Sequence, residues 1–146
     1  MSNCQFEPEG TVRDTTSRGD IAEFQVVAAL IRQGRRLLRP LSLASRYDLL
    51  IDNADGTFTR IQCKSGVLRN GCVLFRLYSV SGHDTRAKPY DGQVDAFGVY
   101  CADTSATYLV PVEAIAGCGQ MAALRVEPTR NGQRRGIRSA AEFVIA

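Results

Sequence analysis

Asp48 opens the apolar run YDLLID, and Gln62 and Lys64 stand two residues apart near the end of the next run, FTRIQCKS. A core excludes such groups unless they are paired or coordinated. Either they are solvated edges of a sheet or they meet around something. A second acid, Glu23, lies within the apolar stretch IAEFQVVAALI, on the helical face of Val27 and Leu30. It has two readings. Asp20-Ile21-Ala22-Glu23 fits a capping box, in which Glu23 serves a helix start; alternatively Glu23 has a partner elsewhere. The chain contains one histidine, His83. Hydrolytic chemistry here would therefore use carboxylates, a lysine or a metal.

Whether Asp48 meets Gln62 and Lys64 depends on register, because a slip of one residue sends a strand's side chains to the other face. The intervening turn is NADGT. A three-residue loop Ala54-Asp55-Gly56 with Gly56 left-handed is a favoured hairpin connection. It pairs Asp52 with Phe58, Leu50 with Arg60 and Asp48 with Gln62, and puts Lys64 on the same face. Tyr47, Leu49, Ile51, Ile61 and Cys63 then form the apolar face. A four-residue loop would separate Asp48 from Gln62, but glycine at the third position favours the shorter one.

The elements that must position these residues read as an α/β (α+β) chain: an N-terminal helix, then a mixed, mostly antiparallel central sheet with flanking helices. The expected helix runs from Thr16 to Gly34 and is largely buried. A short strand follows at RRLLRPL, limited by Pro40, then strands at 47–52, 58–65 and 72–80. Residues 81–93 read as a polar loop, and VDAFGVYC and TYLVPV as two further strands. VEAIAGC supplies a helical turn, and a basic segment over 125–146 ends in a short helix. Residues 1–15 read as a flexible arm and 16–146 as one domain.

Composition narrows the class. With 146 residues, 45% hydrophobic and 23% charged, the chain suits one ordinary globular domain. No run is long enough to span a bilayer, and MSNCQFEPEG lacks the order of an export signal. The five cysteines are scattered without zinc-site spacing, which points to free thiols in a reducing cytoplasm. Net charge is only +3, yet of 18 basic residues only Lys64 and Lys88 are lysines. Between Asp55 and Asp84 there is no acid, while Arg60, Lys64, Arg69 and Arg76 fall there. Arginine's planar fork of donors suits phosphate, so this surface leans towards nucleic acid.

An acid in the N-terminal helix, an acid heading a strand and Gln-x-Lys on the next strand resemble the PD-(D/E)XK nuclease superfamily. The resemblance is to its group I intron homing endonucleases and archaeal Holliday-junction resolvases. It is carried by SRGDIAEFQVVAALIRQG, LLRPLSLASRYDLLID and RIQCKSG, and continues through YDGQVDAFGVYC, YLVPVEAI and RNGQRRGIRSAAEF. Tyr47 stands where the superfamily's name has proline. Gln62 stands where a carboxylate is usual in the superfamily; the intron-encoded branch resembles this sequence in using glutamine there.

The resemblance implies a restriction-endonuclease-like core and a metal-dependent DNA endonuclease with catalytic residues Glu23, Asp48, Gln62 and Lys64. Glu23, Asp48 and the Gln62 carbonyl would hold Mg²⁺ (or Mn²⁺), and Lys64 would orient the nucleophile and stabilise transition-state charge. The four are expected to converge on one solvent-open pocket at a sheet edge. Double-stranded DNA is the implied partner, met by a homodimer or homotetramer, because one site cuts one strand. A junction-resolving nuclease and a non-catalytic DNA-binding relative are the alternatives. Arg130, Asn131, Gln133, Arg134, Arg135 and Arg138 form a run suited to phosphate contacts and base-edge reading. Ser65 either touches the phosphate backbone or ends a strand, and Arg46 either faces DNA or covers the sheet edge.

Overall fold

The computed structural model describes residues 14–81, 84–129, 131 and 136–145. The expected arm therefore lies outside the described residues, except for its last two positions. Asp14 caps the helix α1 (Thr15–Arg32), its carboxylate accepting from the Ser17 N–H at 2.7 Å and the Ser17 hydroxyl at 2.6 Å. The helix ends where expected, with Gly34 at φ 77° and the Arg35 N–H returning to the Leu30 carbonyl. Because the cap is Asp14 and not Asp20, Glu23 lies in mid-helix, and the capping-box reading is excluded.

The helix is less buried than its composition suggests. Ala22, Val26, Ala29 and Leu30 are buried, whereas Phe24 is 64% and Ile31 57% exposed. One stripe meets the sheet, and Ile21, Phe24 and Ile31 face away.

Strand β1 (Arg36–Leu38) pairs antiparallel with β2 (Leu49–Asp52), and β2 with β3 (Phe58–Arg69). The turn is as expected: Gly56 is left-handed at φ 87°, the Asn53 N–H reaches the Thr57 carbonyl, and Asp52 pairs with Phe58 and Leu50 with Arg60.

The twelve residues of β3 serve three partners. Beyond β2, residues 61–66 run parallel to β7 (Ala96–Cys101), and residues 67–69 pair antiparallel with β4 (Cys72–Arg76). Antiparallel β8 (Ala106–Pro111) continues from β7. On the other branch β4 pairs with β9 (Met121–Arg125), which carries the two-residue β10 (Arg138–Ser139) in parallel. Separately, β5 (Tyr78–Ser81) and β6 (Asp84–Pro89) form a two-stranded ribbon.

Three sequence expectations need correction. The run 72–80 is two strands, broken at Leu77, whose N–H turns to the Gln120 carbonyl. The polar loop 81–93 contains β6. The flanking helices are single 3₁₀ turns, Val112–Ile115 and Ala140–Glu142. Strand β9 was not foreseen, since MAALR lacks β-branched residues; its buried Ala122 and Leu124 come from pairing with β4.

The core has two parts, one on each face of the sheet. Under α1, Val26 and Leu30 pack on Leu49, Ile51 and Ile61. Opposite, Phe75, Tyr90, Phe97, Val99, Tyr108, Val110 and Leu124 form the larger cluster. The helix approaches β7 at Gly98, where a Cβ would lie 2.6 Å from Val26 Cγ1 and 3.3 Å from Ile61 Cγ2. Gly98→Ala is expected to overpack this contact and cost about 1–3 kcal/mol. Thermal unfolding checks it by a melting temperature several degrees lower; an unchanged value would mean that helix and sheet are not closely packed there.

Candidate active site

Asp48 stands where regular pairing between β2 and β3 stops. A continued ladder would set it opposite Gln62; instead its N–H donates to the Ile61 carbonyl at 2.8 Å. Its Oδ2 accepts the Cys63 N–H, also at 2.8 Å, so a side chain substitutes for the strand backbone. The expected Asp48–Gln62 pair is thus replaced by an offset. The offset also moves Tyr47, which packs with the larger cluster and not, as expected, beside Leu49.

Asp48 is half-buried, and burial raises its carboxyl above the ordinary 3.8. The Cys63 N–H and the charges of Lys64 and Arg39 oppose that rise. Its other oxygen, Oδ1, accepts no hydrogen bond from the described residues. Among those residues no side-chain polar atom is both buried and unpartnered, so Oδ1 reaches solvent. Burial and the Asp48 charge push the Cys63 thiol far above its ordinary value, which leaves it protonated and unreactive.

Glu23 approaches from the helix layer and forms an ion pair with Arg39, just beyond β1. That guanidinium also acts electrostatically on Asp48 and Cys63, which links the two acids through one cation. Lys64 points to the opposite side of the sheet. Its Nζ donates to the Tyr78 carbonyl at 3.0 Å and the Tyr90 hydroxyl at 3.1 Å, and lies 4.6 Å from the Tyr90 ring centroid. Gln62 lies between Ile61 and Cys63, half-buried, and its amide makes no hydrogen bond among the described residues. Charge relates Lys64 and Arg39 to Asp48, but the four expected residues are not brought into mutual contact: Glu23 pairs with Arg39, Lys64 is held by Tyr78 and Tyr90, and Gln62 makes no hydrogen bond to the others.

Two residues of this neighbourhood were missed. Arg39 and Tyr90 act across the sheet, and the one available hint was a tyrosine in an otherwise polar segment. Arg46 turns inward: it donates to Gln93 Oε1 at 2.7 Å, Ser79 Oγ at 2.7 Å and the Lys88 and Pro89 carbonyls. It also lies over the Tyr90 ring, 4.2 Å from the centroid. Ser65 Oγ donates to the Arg18 carbonyl at 3.0 Å. Arg138 pairs with Glu142 and stacks on Phe143, while Asn131 is exposed. Arg130, Gln133, Arg134 and Arg135 lie outside the described residues, as does His83.

The donor set suits a hard divalent cation: two carboxylates and a carboxamide oxygen, all oxygen ligands. Among the described residues no cluster of three or more His, Cys, Asp or Glu is present. Glu23 has to share or exchange its Arg39 contact to join such a site.

A model of PD-(D/E)XK endonucleases matches residues 13–146. The chain belongs to the PD-(D/E)XK endonuclease family. Its fold is similar to that of a bacterial homing endonuclease, I-Ssp6803I, with a TM-score of 0.69 and 24% identity over 90% of this chain and 89% of that one. Comparison with curated proteins gives no match. In this family member the helix acid, the strand-heading acid and the lysine of Gln-x-Lys occupy the positions just described. No helix among the described residues is long and apolar enough to cross a membrane.

The raised Asp48 carboxyl has a consequence for stability. When pH is low enough to protonate Asp48 in both folded and unfolded chains, its burial carries no charge penalty. As pH rises, the unfolded chain ionises first and the fold loses stability until Asp48 itself ionises. Asp48→Asn keeps an oxygen for the Cys63 N–H. In chelator at neutral pH the variant is expected to melt above the wild type, and the gap is expected to close below pH 4. An equal melting temperature throughout would show that Asp48 is not held against a desolvation cost.

Proposed function

We propose that this chain is a divalent-metal-dependent DNA endonuclease of the homing type that hydrolyses phosphodiester bonds. The observation that supports the reading is the Asp48 carboxylate, held through one oxygen by the Cys63 N–H and acted on by the charges of Lys64 and Arg39, with Glu23 paired to Arg39. Double-stranded DNA is the substrate of this reading. The likeness in fold to a bacterial homing endonuclease supports it.

Glu23, Asp48 and the Gln62 carbonyl are the groups that would hold Mg²⁺ or Mn²⁺. When bound, the cation would lower the pKa of a water and neutralise charge on the phosphate. The chain's own contribution begins with Lys64. Its ammonium, clamped by Tyr78 and Tyr90, is pre-oriented to steer the attacking water and to stabilise charge on the non-bridging phosphate oxygens. Arg46 lies over Tyr90, and so acts as a positioning residue. Asp48, oriented through the Cys63 N–H, presents Oδ1 without rearrangement. Such preorganisation is the protein's means of lowering the barrier when little covalent chemistry is required of it.

Cutting both strands requires two sites, and hence a homodimer or homotetramer. The exposed stripe of Ile21, Phe24 and Ile31 on α1 is compatible with a partner copy. A second reading, a non-catalytic DNA-binding relative, is favoured by the neutral Gln62 and by the Glu23–Arg39 pair.

A nicking assay on linear, supercoiled and four-way-junction DNA, with Mg²⁺ or with chelator, separates these readings. The wild type is expected to cut only with metal. Lys64→Ala and Asp48→Ala are each expected to lower the rate by at least roughly 10²-fold while still binding DNA. Binding without cleavage under all metal conditions would move the non-catalytic reading ahead; junction-only cutting would make it a resolvase.

A further inference from the structure

A groove of about 700 Å³ runs between the first turn of α1, the β3–β4 hairpin, β5 and the edge of β9. Arg18 contributes from the helix, Arg69 from β3 and Arg76 from β4, and Lys64 lies in its wall. Among the described residues no aspartate or glutamate lines it. Two acids adjoin lining residues in sequence: Asp14 beside Thr15, engaged by Ser17 as the helix cap, and Asp20 beside Gly19, which is exposed and not among the lining residues. Two other cations of the sheet are neutralised: Arg60 holds Asp95 with two N–H···O bonds, at 3.0 and 2.8 Å, and Arg138 holds Glu142. Arg18, Arg69 and Arg76 are exposed and make no ion pair with the described residues; Arg76 instead lies 5.7 Å from the Tyr78 ring centroid.

Three unpaired guanidiniums beside one another repel, and a folded chain gains nothing from that arrangement unless an anion joins them. A discrete small anion would need converging donors at one point. Here the cations come from three different elements along an open groove, which matches a repeating polyanion.

We propose that this groove is the track of one strand of duplex DNA, with Arg18, Arg69 and Arg76 as phosphate contacts that guide the backbone to Lys64. The inference rests on the nuclease reading above and adds to it a phosphate-binding surface built on Arg18, Arg69 and Arg76. Lys64 belongs to both surfaces: it lines the groove, and its charge acts on Asp48. Phosphate contacts of this type set position and affinity and carry no direct sequence information.

The test compares the wild type with two triple variants that lose the same charge. Arg18→Ala/Arg69→Ala/Arg76→Ala removes the groove cations. Arg32→Ala/Arg35→Ala/Arg36→Ala removes three exposed arginines at and just beyond the far end of α1, where Arg32 is about 20 Å from Arg18 along the helix. Binding of a fluorescent duplex is measured by anisotropy across a salt series in Ca²⁺, and cleavage separately in Mg²⁺. The groove variant is expected to bind at least roughly tenfold more weakly at low salt. Its log K against log salt slope is expected to be shallower by roughly 2–3, at about 0.9 per lost phosphate contact. The far-end variant should stay close to wild type. Arg18→Lys/Arg69→Lys/Arg76→Lys, which retains the charge, should recover most of the slope and excludes a folding defect as the cause. Equal weakening of the groove and far-end variants overturns the groove assignment while leaving a cleaving wild type a nuclease. A wild type that neither binds nor cuts overturns both.

Discussion

The hydrogen bond from the Cys63 N–H to Asp48 Oδ2 is the constraint on which the site depends. It forms because β2 and β3 leave register at Leu49, where the Asp48 N–H takes the Ile61 carbonyl ahead of its regular partner. A strand that ended by simple fraying would release Asp48 to solvent. A strand that continued in register would fix it over the sheet like any alternating residue. The offset does neither: it holds one carboxylate oxygen inside the ladder and leaves the other outside it. Burial on the inner side raises the carboxyl, and two nearby cations limit that rise. The same offset carries Tyr47 into the larger cluster beneath Tyr90, the residue that clamps Lys64.

Charge is arranged by element. Along β3, Arg60 is locked to Asp95 at the start of β7, which ties the parallel crossover to the hairpin. Its guanidinium is raised and the Asp95 carboxyl lowered by that bond, as expected of a matched bidentate pair. Four residues on, Lys64 has neutral partners only, so its ammonium remains uncompensated by direct contact. Farther along, Arg69 lies in the open groove. One strand thus carries three cations in different surroundings: Arg60 against a carboxylate, Lys64 against a carbonyl and a phenol, and Arg69 in an open groove.

Much of this was legible in the residues themselves. The hairpin register from Asp52 to Leu50 followed from a glycine in the turn, because turn geometry is local. The helix stop at Gly34 was equally local. Where the outcome depended on distant partners, local patterns misled. Asp20 and Asp14 are both plausible caps, and only the helix's true start at Thr15 shows that Glu23 belongs with Arg39. The burial of α1 was overstated because its apolar residues surround it, while the sheet covers one stripe. The segment SGHDTRAKPYD has no alternation, so β6 was unreadable apart from its pairing with β5. Glu23, Asp48, Gln62 and Lys64 could be selected by type and order; Arg39 and Tyr90, which connect and orient them, could not.

The central claim is that Gln62 completes a cation site with Glu23 and Asp48, and Gln62→Glu tests it most directly. The substitution puts a third carboxylate beside two others, which repel without metal and favour a hard divalent cation when one is bound. Thermal unfolding of both proteins, first in chelator and then across a Mg²⁺ titration, measures the effect through the coupling of ligand binding to stability. The account predicts that the variant melts below the wild type in chelator and gains more from Mg²⁺. The same metal response in both proteins would contradict it, because Gln62 would then not be a ligand.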